Sequence, residues 1–222
     1  MNSPANRAGA MLYVFDVNET LLDLGGLDDT LGGEANRRTW FGLVIQAALV
    51  SAATGVYRDF AELAQAAARH LEASGVIPHG APQRLAPAML ELRPHADVLP
   101  ALGRLREQGH RLVVLGNSPR RVLDPQLKAA GIAGLLHEQY SVEQAVALKP
   151  GPAPYRLVLD REHTKPRHAV MVAAHDWDIA GAAAIGMRTV LINRDPRQHF
   201  EQAAPPDHTL SDLRHLATTE SP

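Results

Sequence analysis

Polar side chains capable of catalysis stand directly after short apolar runs at several points in this chain. Asp16 follows Met11-Leu-Tyr-Val-Phe15, Asn117 and Ser118 follow the run that starts at Arg111, and His175, Asp176, Trp177 and Asp178 follow the run that starts at Ala169. Asn18 and Glu19 come just behind Asp16, and Lys149 sits in Leu148-Lys-Pro-Gly-Pro-Ala-Pro-Tyr155, a loop stiffened by prolines. In an open parallel sheet the carboxyl ends of the strands form the ligand crevice, so residues in these positions share one edge of the fold. A carboxylate, an amine, an imidazole and a second carboxylate suffice for a covalent displacement followed by hydrolysis. Each residue also has a plainer role open to it. Asp16 fits a turn, Lys149 a solvated loop, Ser118-Pro119 an N-cap with proline in the first helical position, His175 and Trp177 ordinary packing, and Asp178 a helix N-cap. Their recurrence at successive strand ends favours chemistry.

Such a set needs a parallel sheet to assemble it, and the chain carries the pattern of one. Strands are expected over residues 11–15, 111–115, 169–173 and 189–192, separated by helical stretches such as 99–108 and 179–185. The helix at 179–185 is expected to start after Asp178 as its cap and to stop at Gly186. Between the first and second strands the chain reads as helix only. Trp40, Leu43, Val44, Ala47 and Ala48 recur at helical spacing within 36–53, Asp59 and Glu62 form a capping-box pair before a second helix that Gly75 ends, and a third is expected between 82 and 92. The expected fold class is therefore α/β: a doubly wound, Rossmann-like core formed by residues 1–18 and 95–222, with residues 19–94 inserted as an α-helical cap.

Composition narrows the function classes. A formal charge of -2 with scattered Lys and Arg offers no electrostatic footprint for nucleic acid or an anionic membrane surface, so a small molecule is the expected partner. Zero cysteines exclude thiol catalysis, disulfides and Cys-based metal sites. No apolar stretch reaches the roughly 20 residues that span a bilayer, and the first ten residues lack the apolar centre of a secretory signal, so a cytoplasmic protein is expected.

Val14-Phe-Asp-Val-Asn-Glu-Thr-Leu-Leu-Asp23 resembles the first motif of the haloacid dehalogenase superfamily, and the others follow in order. Leu115-Gly-Asn-Ser-Pro119 looks like the second motif, Lys149-Pro150 the third, and Val172-Ala-Ala-His-Asp-Trp-Asp178 the fourth. Within the superfamily the (S)-2-haloacid dehalogenase branch is most similar. Lys149 to Tyr155 has its Lys-Pro-x-Pro-x-x-Tyr form, Trp177-Asp178 its Trp-Asp pair, and Thr54-Gly-Val-Tyr-Arg-Asp-Phe60 also resembles it. The resemblance implies hydrolysis of short (S)-2-haloacids to (R)-2-hydroxyacids with inversion, through an ester on Asp16, without a metal or other cofactor. It implies that Lys149 keeps Asp16 ionised and that Asn117, Ser118, Phe41, Phe60, Tyr155, Trp177 and Asp178 bind the substrate. It also implies a homodimer.

Some positions depart from the better-known dehalogenases. Phe41 stands where that group has an arginine near the halide, Gly116 where a hydroxyl residue precedes Asn117, and Ala173 and His175 where serine and asparagine occur. Glu19 with His175 instead matches a smaller subgroup in which this pair is thought to activate water. Two other readings stay open. A Mg²⁺-dependent phosphatase of a small metabolite would use Asp where this chain has Asn18, and would need acidic residues near Ala173 and Ala174. A catalytically silent binding or dimerisation module would treat Phe41 and Gly116 as decay of the site.

Overall fold

The computed structural model describes residues 10–195 and 205–216. The reading of the first nine residues lies outside them. The centre of the molecule is a parallel six-stranded sheet: β1 (Leu12–Phe15), β2 (Arg111–Gly116), β3 (Glu138–Ser141), β4 (Ala169–Ala173), β5 (Arg188–Ile192) and β6 (His208–Leu210), in the order β3-β2-β1-β4-β5-β6. Every residue of β1 and β4 is buried. Strands covered on both faces are continuous apolar runs, which is why these two were readable from sequence.

The edge strands were not expected. Glu138-Gln-Tyr-Ser and His208-Thr-Leu are short and polar, as edges of a sheet tend to be, so they carry no apolar run. The strand order reverses at β1, whose neighbours β2 and β4 are reached by separate crossovers. That reversal opens the crevice at the carboxyl end of β1, where Asp16 lies with its backbone N–H donating to Val172 O at 3.0 Å.

The helices between β1 and β2 are a one-turn α1 (Asp28–Leu31), α2 (Glu34–Thr54), α3 (Phe60–Ala73) and α4 (Ala81–Leu90). Trp40, Val44, Ala48 and Ser51 form the buried stripe of α2, and the Trp40 indole N–H reaches Ala64 O on α3 at 2.9 Å. Asp59 caps α3 by accepting from the N–H groups of Ala61 and Glu62. The chain leaves and re-enters the sheet layer side by side, for Leu22 bridges both Asn18 and Pro94. Polar contacts tie the inserted helices to the core: Gln126 Nε2 donates to Met89 O at 2.7 Å, Arg121 pairs with Asp59 at 2.6 Å, and Arg38 reaches Asp195 at 3.3 Å.

The core helices are α5 (Val98–Glu107), α6 (Arg120–Ala129), α7 (Pro152–Arg161) and α8 (Asp176–Ala183). Two caps differ from expectation. Helix α8 begins at Asp176 with His175 as its N-cap, so Asp178 lies inside the first turn, fully buried, and caps nothing. Helix α6 has Pro119 in the cap position, which displaces Ser118 from that role.

Candidate active site

The site is built from the strand ends upward, around one buried ammonium group. Lys149 Nζ donates to Asp16 Oδ1 at 2.8 Å, to Asp178 Oδ2 at 2.6 Å and to Leu115 O at 2.9 Å, which uses all three of its protons. Lys149, Asp16 and Asp178 are all buried, and charges are tolerated there only when paired and hydrogen-bonded. Burial works against the charge on Asp16, but the Lys149 ammonium and the neighbouring His175 outweigh it and hold this carboxyl well below the usual carboxylate range. Asp178 is shifted the other way: burial, with the adjacent Asp16 charge adding to it, raises its pKa against the pull of Lys149. Negative charge in the cluster therefore settles first on Asp16. Burial alone would lower the Lys149 pKa, yet the two carboxylates raise it, so the lysine stays cationic.

A second layer fixes this cluster. Tyr155 Oη donates to Asp178 Oδ1 at 2.6 Å, and Thr20 Oγ1 donates to Asp16 Oδ2 at 2.8 Å while accepting from Ala174 N at 2.9 Å. The resemblance implied that Tyr155 and Asp178 bind the substrate, but neither lines the pocket above Asp16. Both are fully enclosed beneath Lys149 and spend their polar atoms on it and on each other. Thr20 was missed, although its place four residues after Asp16 in the first motif was a usable signal.

Above Asp16 lies a small pocket lined by Asn18, Phe41, Phe60, Gly116, Asn117, Ser118, His175 and Trp177. Six of the proposed residues besides Asp16 therefore meet here: Phe41, Phe60, Asn117, Ser118, His175 and Trp177. Asn117 Oδ1 accepts from Lys149 N at 3.1 Å, which fixes the amide and leaves its buried Nδ2 donor without a partner. The His175 ring stacks on Trp177 at 5.2 Å between centroids and meets Phe41 at 5.4 Å. Its Nδ1 sits 3.6 Å from Asp16 Oδ2, beyond hydrogen-bonding distance, and is buried without a partner.

Glu19 lies on the other side of His175. The two line a separate cavity with Asn193 and Arg194. Burial raises the Glu19 pKa, opposed by the neighbouring His175 ring and the Arg37 guanidinium. Glu19 holds a left-handed backbone at φ 64°, a conformation that favours glycine, so its side chain is retained there against a local cost. Arg37 on α2, which no sequence signal marked, bridges Glu19 at 2.9 Å and Asp28 at 2.7 Å.

Comparison with known proteins gives a consistent result. (S)-2-Haloacid dehalogenase 1 of Pseudomonas sp. (strain CBS-3) is 31% identical over 211 residues, covering 91% of this chain and 93% of that protein. (S)-2-Haloacid dehalogenase 4A of Burkholderia cepacia is 28% identical over 220 residues, covering 94% and 90%. A crystal structure of a dehalogenase with an intermediate complex matches at TM-score 0.89 and 25% identity, covering 96% of this chain and 98% of that one. The fold is shared with L-2-haloacid dehalogenase from Xanthobacter autotrophicus with chloropropionic acid covalently bound, at TM-score 0.85 and 21% identity, covering 94% and 97%. A family model described as haloacid dehalogenase-like hydrolase spans residues 10–186, from β1 through the inserted helices to the end of the α8 segment, and this chain belongs to that family.

Proposed function

We propose that this protein hydrolyses (S)-2-haloacids to (R)-2-hydroxyacids through an ester on Asp16. The observation that carries the reading is a carboxylate kept charged by Lys149 and opening into an aromatic-edged pocket. A desolvated, fixed carboxylate suits attack on a carbon. In the first step an Asp16 oxygen bonds to C2 of the substrate, the carbon–halogen bond breaks from the opposite face, and the halide leaves with the electron pair. The free Asn117 Nδ2 donor and the ring edges of Phe41, Phe60 and Trp177 suit a large, weakly hydrated halide.

In the second step water attacks the ester carbonyl carbon of Asp16 and gives its proton to His175. The support for this role is that Nδ1 of that ring has no partner and lies 3.6 Å from Asp16. Glu19 steadies the charge that then forms on the ring. Lys149 remains at Oδ1, where negative charge develops as the carbonyl opens. Collapse releases the 2-hydroxyacid, whose alkoxide takes up the remaining hydroxyl proton of the tetrahedral intermediate, so that Asp16 returns as the carboxylate and His175 passes the proton it took to solvent.

The oxygen set does not fit the Mg²⁺ of the phosphatase reading. Both Asp16 oxygens and both Asp178 oxygens are already engaged by Lys149, Thr20 and Tyr155, and β4 ends in Ala173 with Ala174 following it. The silent-module reading leaves the charged Asp16–Lys149 pair without a purpose.

The division into a core of residues 1–18 and 95–222 and a cap of 19–94 belongs to the same proposal, supported by the paired bridges at Leu22. So does a homodimer, which would cover the exposed Leu49 and Val50 near the end of α2 and Val56 just after it. A cytoplasmic site accords with the lack of cysteine, and among the described residues no helix is long and apolar enough to cross a membrane.

The test is halide release from (S)-2-chloropropionate in excess EDTA, with Asp16→Asn as control. A single turnover in ¹⁸O-water should place the label in Asp16, not in the product. Label appearing only in the first-formed hydroxyacid would overturn the covalent route.

A further inference from the structure

The pocket over Asp16 is too small to be the whole binding space, and it does not end blindly. Asn18, Phe41, Phe60 and Ser118 line both this pocket and a groove of about 830 Å³ that runs between α3, α4 and α6. That volume lies within the range of small-molecule sites, roughly 300–1,000 Å³. The groove walls are apolar. Trp40, Ala64, Pro87 and Met89 face it, and Ala61 and Ala86 keep it wide because neither fills the space a larger side chain would take. Its exposed edge carries Arg58, Arg69 and Arg121 against one carboxylate, Glu62. Arg121 also holds Asp59 at 2.6 Å. An apolar channel with a cationic mouth, opening onto a carboxylate-directed reaction centre, matches an amphiphilic anion with an alkyl tail.

We propose that this groove is an acyl-chain subsite, and that the preferred substrates are medium-chain 2-haloalkanoates whose tail on C2 lies in it. This deepens the dehalogenase reading and rests on it. The arginines attract the carboxylate from solution and speed its entry whatever the tail length. The walls then discriminate by length, since each buried methylene is worth about a fourfold gain in affinity.

The experiment compares kcat/KM for 2-bromopropionate, 2-bromohexanoate and 2-bromooctanoate in the wild type, Ala86→Trp and Ala61→Phe. Ala86 is exposed and Ala61 partly so, which leaves room for the larger side chains without rebuilding the core. In the wild type kcat/KM should climb about fourfold per methylene. The filled variants should lose that slope while 2-bromopropionate stays within about twofold. Calorimetric titration with propionate, hexanoate and octanoate, which lack halogen, reads the same slope without chemistry.

Turnover of the short acid with no gain from length, or a slope that survives both fillings, overturns the subsite and leaves the dehalogenase reading intact. A groove closed by a second copy of the chain would give that flat profile. Octanoate binding with the expected slope, but no halide release from any substrate, supports the subsite and overturns the chemistry.

Discussion

Replacing Lys149 with methionine removes the single cation between two buried carboxylates, Asp16 and Asp178. The methionine side chain fills much of the same volume, so the cost is electrostatic. Breaking a buried pair and leaving its partner uncompensated costs about 3–5 kcal/mol. For a chain of this size that is a fall of about 6–20 °C in Tm near neutral pH. The loss should depend on pH with a definite sign. In the wild type Asp16 titrates below its unfolded value, so its contribution is present above about pH 4 and is lost as the pH falls further. In the variant, burial and mutual repulsion push both carboxyls above their unfolded values. The folded state then binds more protons than the unfolded one, and the variant regains stability as the pH falls. Calorimetric melts between pH 4 and 8 should therefore show the two proteins converging toward acid. Single-turnover ester formation, followed by intact mass at a pH where the variant is folded, should be slow and climb about tenfold per pH unit until Asp16 ionises. A Tm difference that is constant across this range, or ester formation at the wild-type rate, would refute the assignment of Lys149 as the group that keeps the nucleophile charged.

Other substitutions test the surrounding parts. His175→Ala should still form the ester but hydrolyse it about 10²- to 10⁴-fold more slowly, so the acylated protein accumulates in the mass spectrum; normal turnover would remove His175 as the base. Arg37→Met should lift the Glu19 pKa further, since it leaves burial less opposed. If ionised Glu19 assists His175, the acid limb of the kcat profile moves to higher pH, and Arg37→Lys, which restores the charge but not both contacts, returns part of it. An unmoved limb would make Arg37 only a brace between α1 and α2. At Gly181 on α8 a Cβ would lie 2.6 Å from Tyr155 Oη and 2.7 Å from Pro150 O. Gly181→Ala should therefore cost about 1–3 kcal/mol and loosen the Tyr155 bond to Asp178, seen as a lower Tm; an unchanged melt would mean that Tyr155 has room to move.

The parts of the fold that could be read in advance share a physical reason. A strand covered on both faces must be apolar along its length, which marks β1 and β4, and a helix packed on one side repeats its apolar residues, which marks α2. Edge strands obey neither rule, so β3 and β6 left no trace. Asp178 was misread for a related reason. Asp176 and Asp178 differ by two residues in the first turn of α8, about 200° around the helix, and only packing decides which one points inward.

The site followed the same logic. Its members at strand ends were readable because a parallel sheet gathers those ends whatever the loops do. Arg37 was not, because its partner Glu19 lies 18 residues away, and their meeting depends on how α2 is set against the loop after β1. Motif resemblance likewise transmitted the identities of Tyr155 and Asp178 but not their direction. They touch Asp16 only through Lys149, by holding the amine that pairs with it. The groove beside the pocket is the extreme case. Its walls come from α2, α3, α4 and α6, and its width follows from small residues such as Ala61 and Ala86, which in a sequence look like any other helical alanine. On the proposed reading the reacting groups are thus written at the strand ends, whereas substrate selection would depend on helix packing that no single motif records.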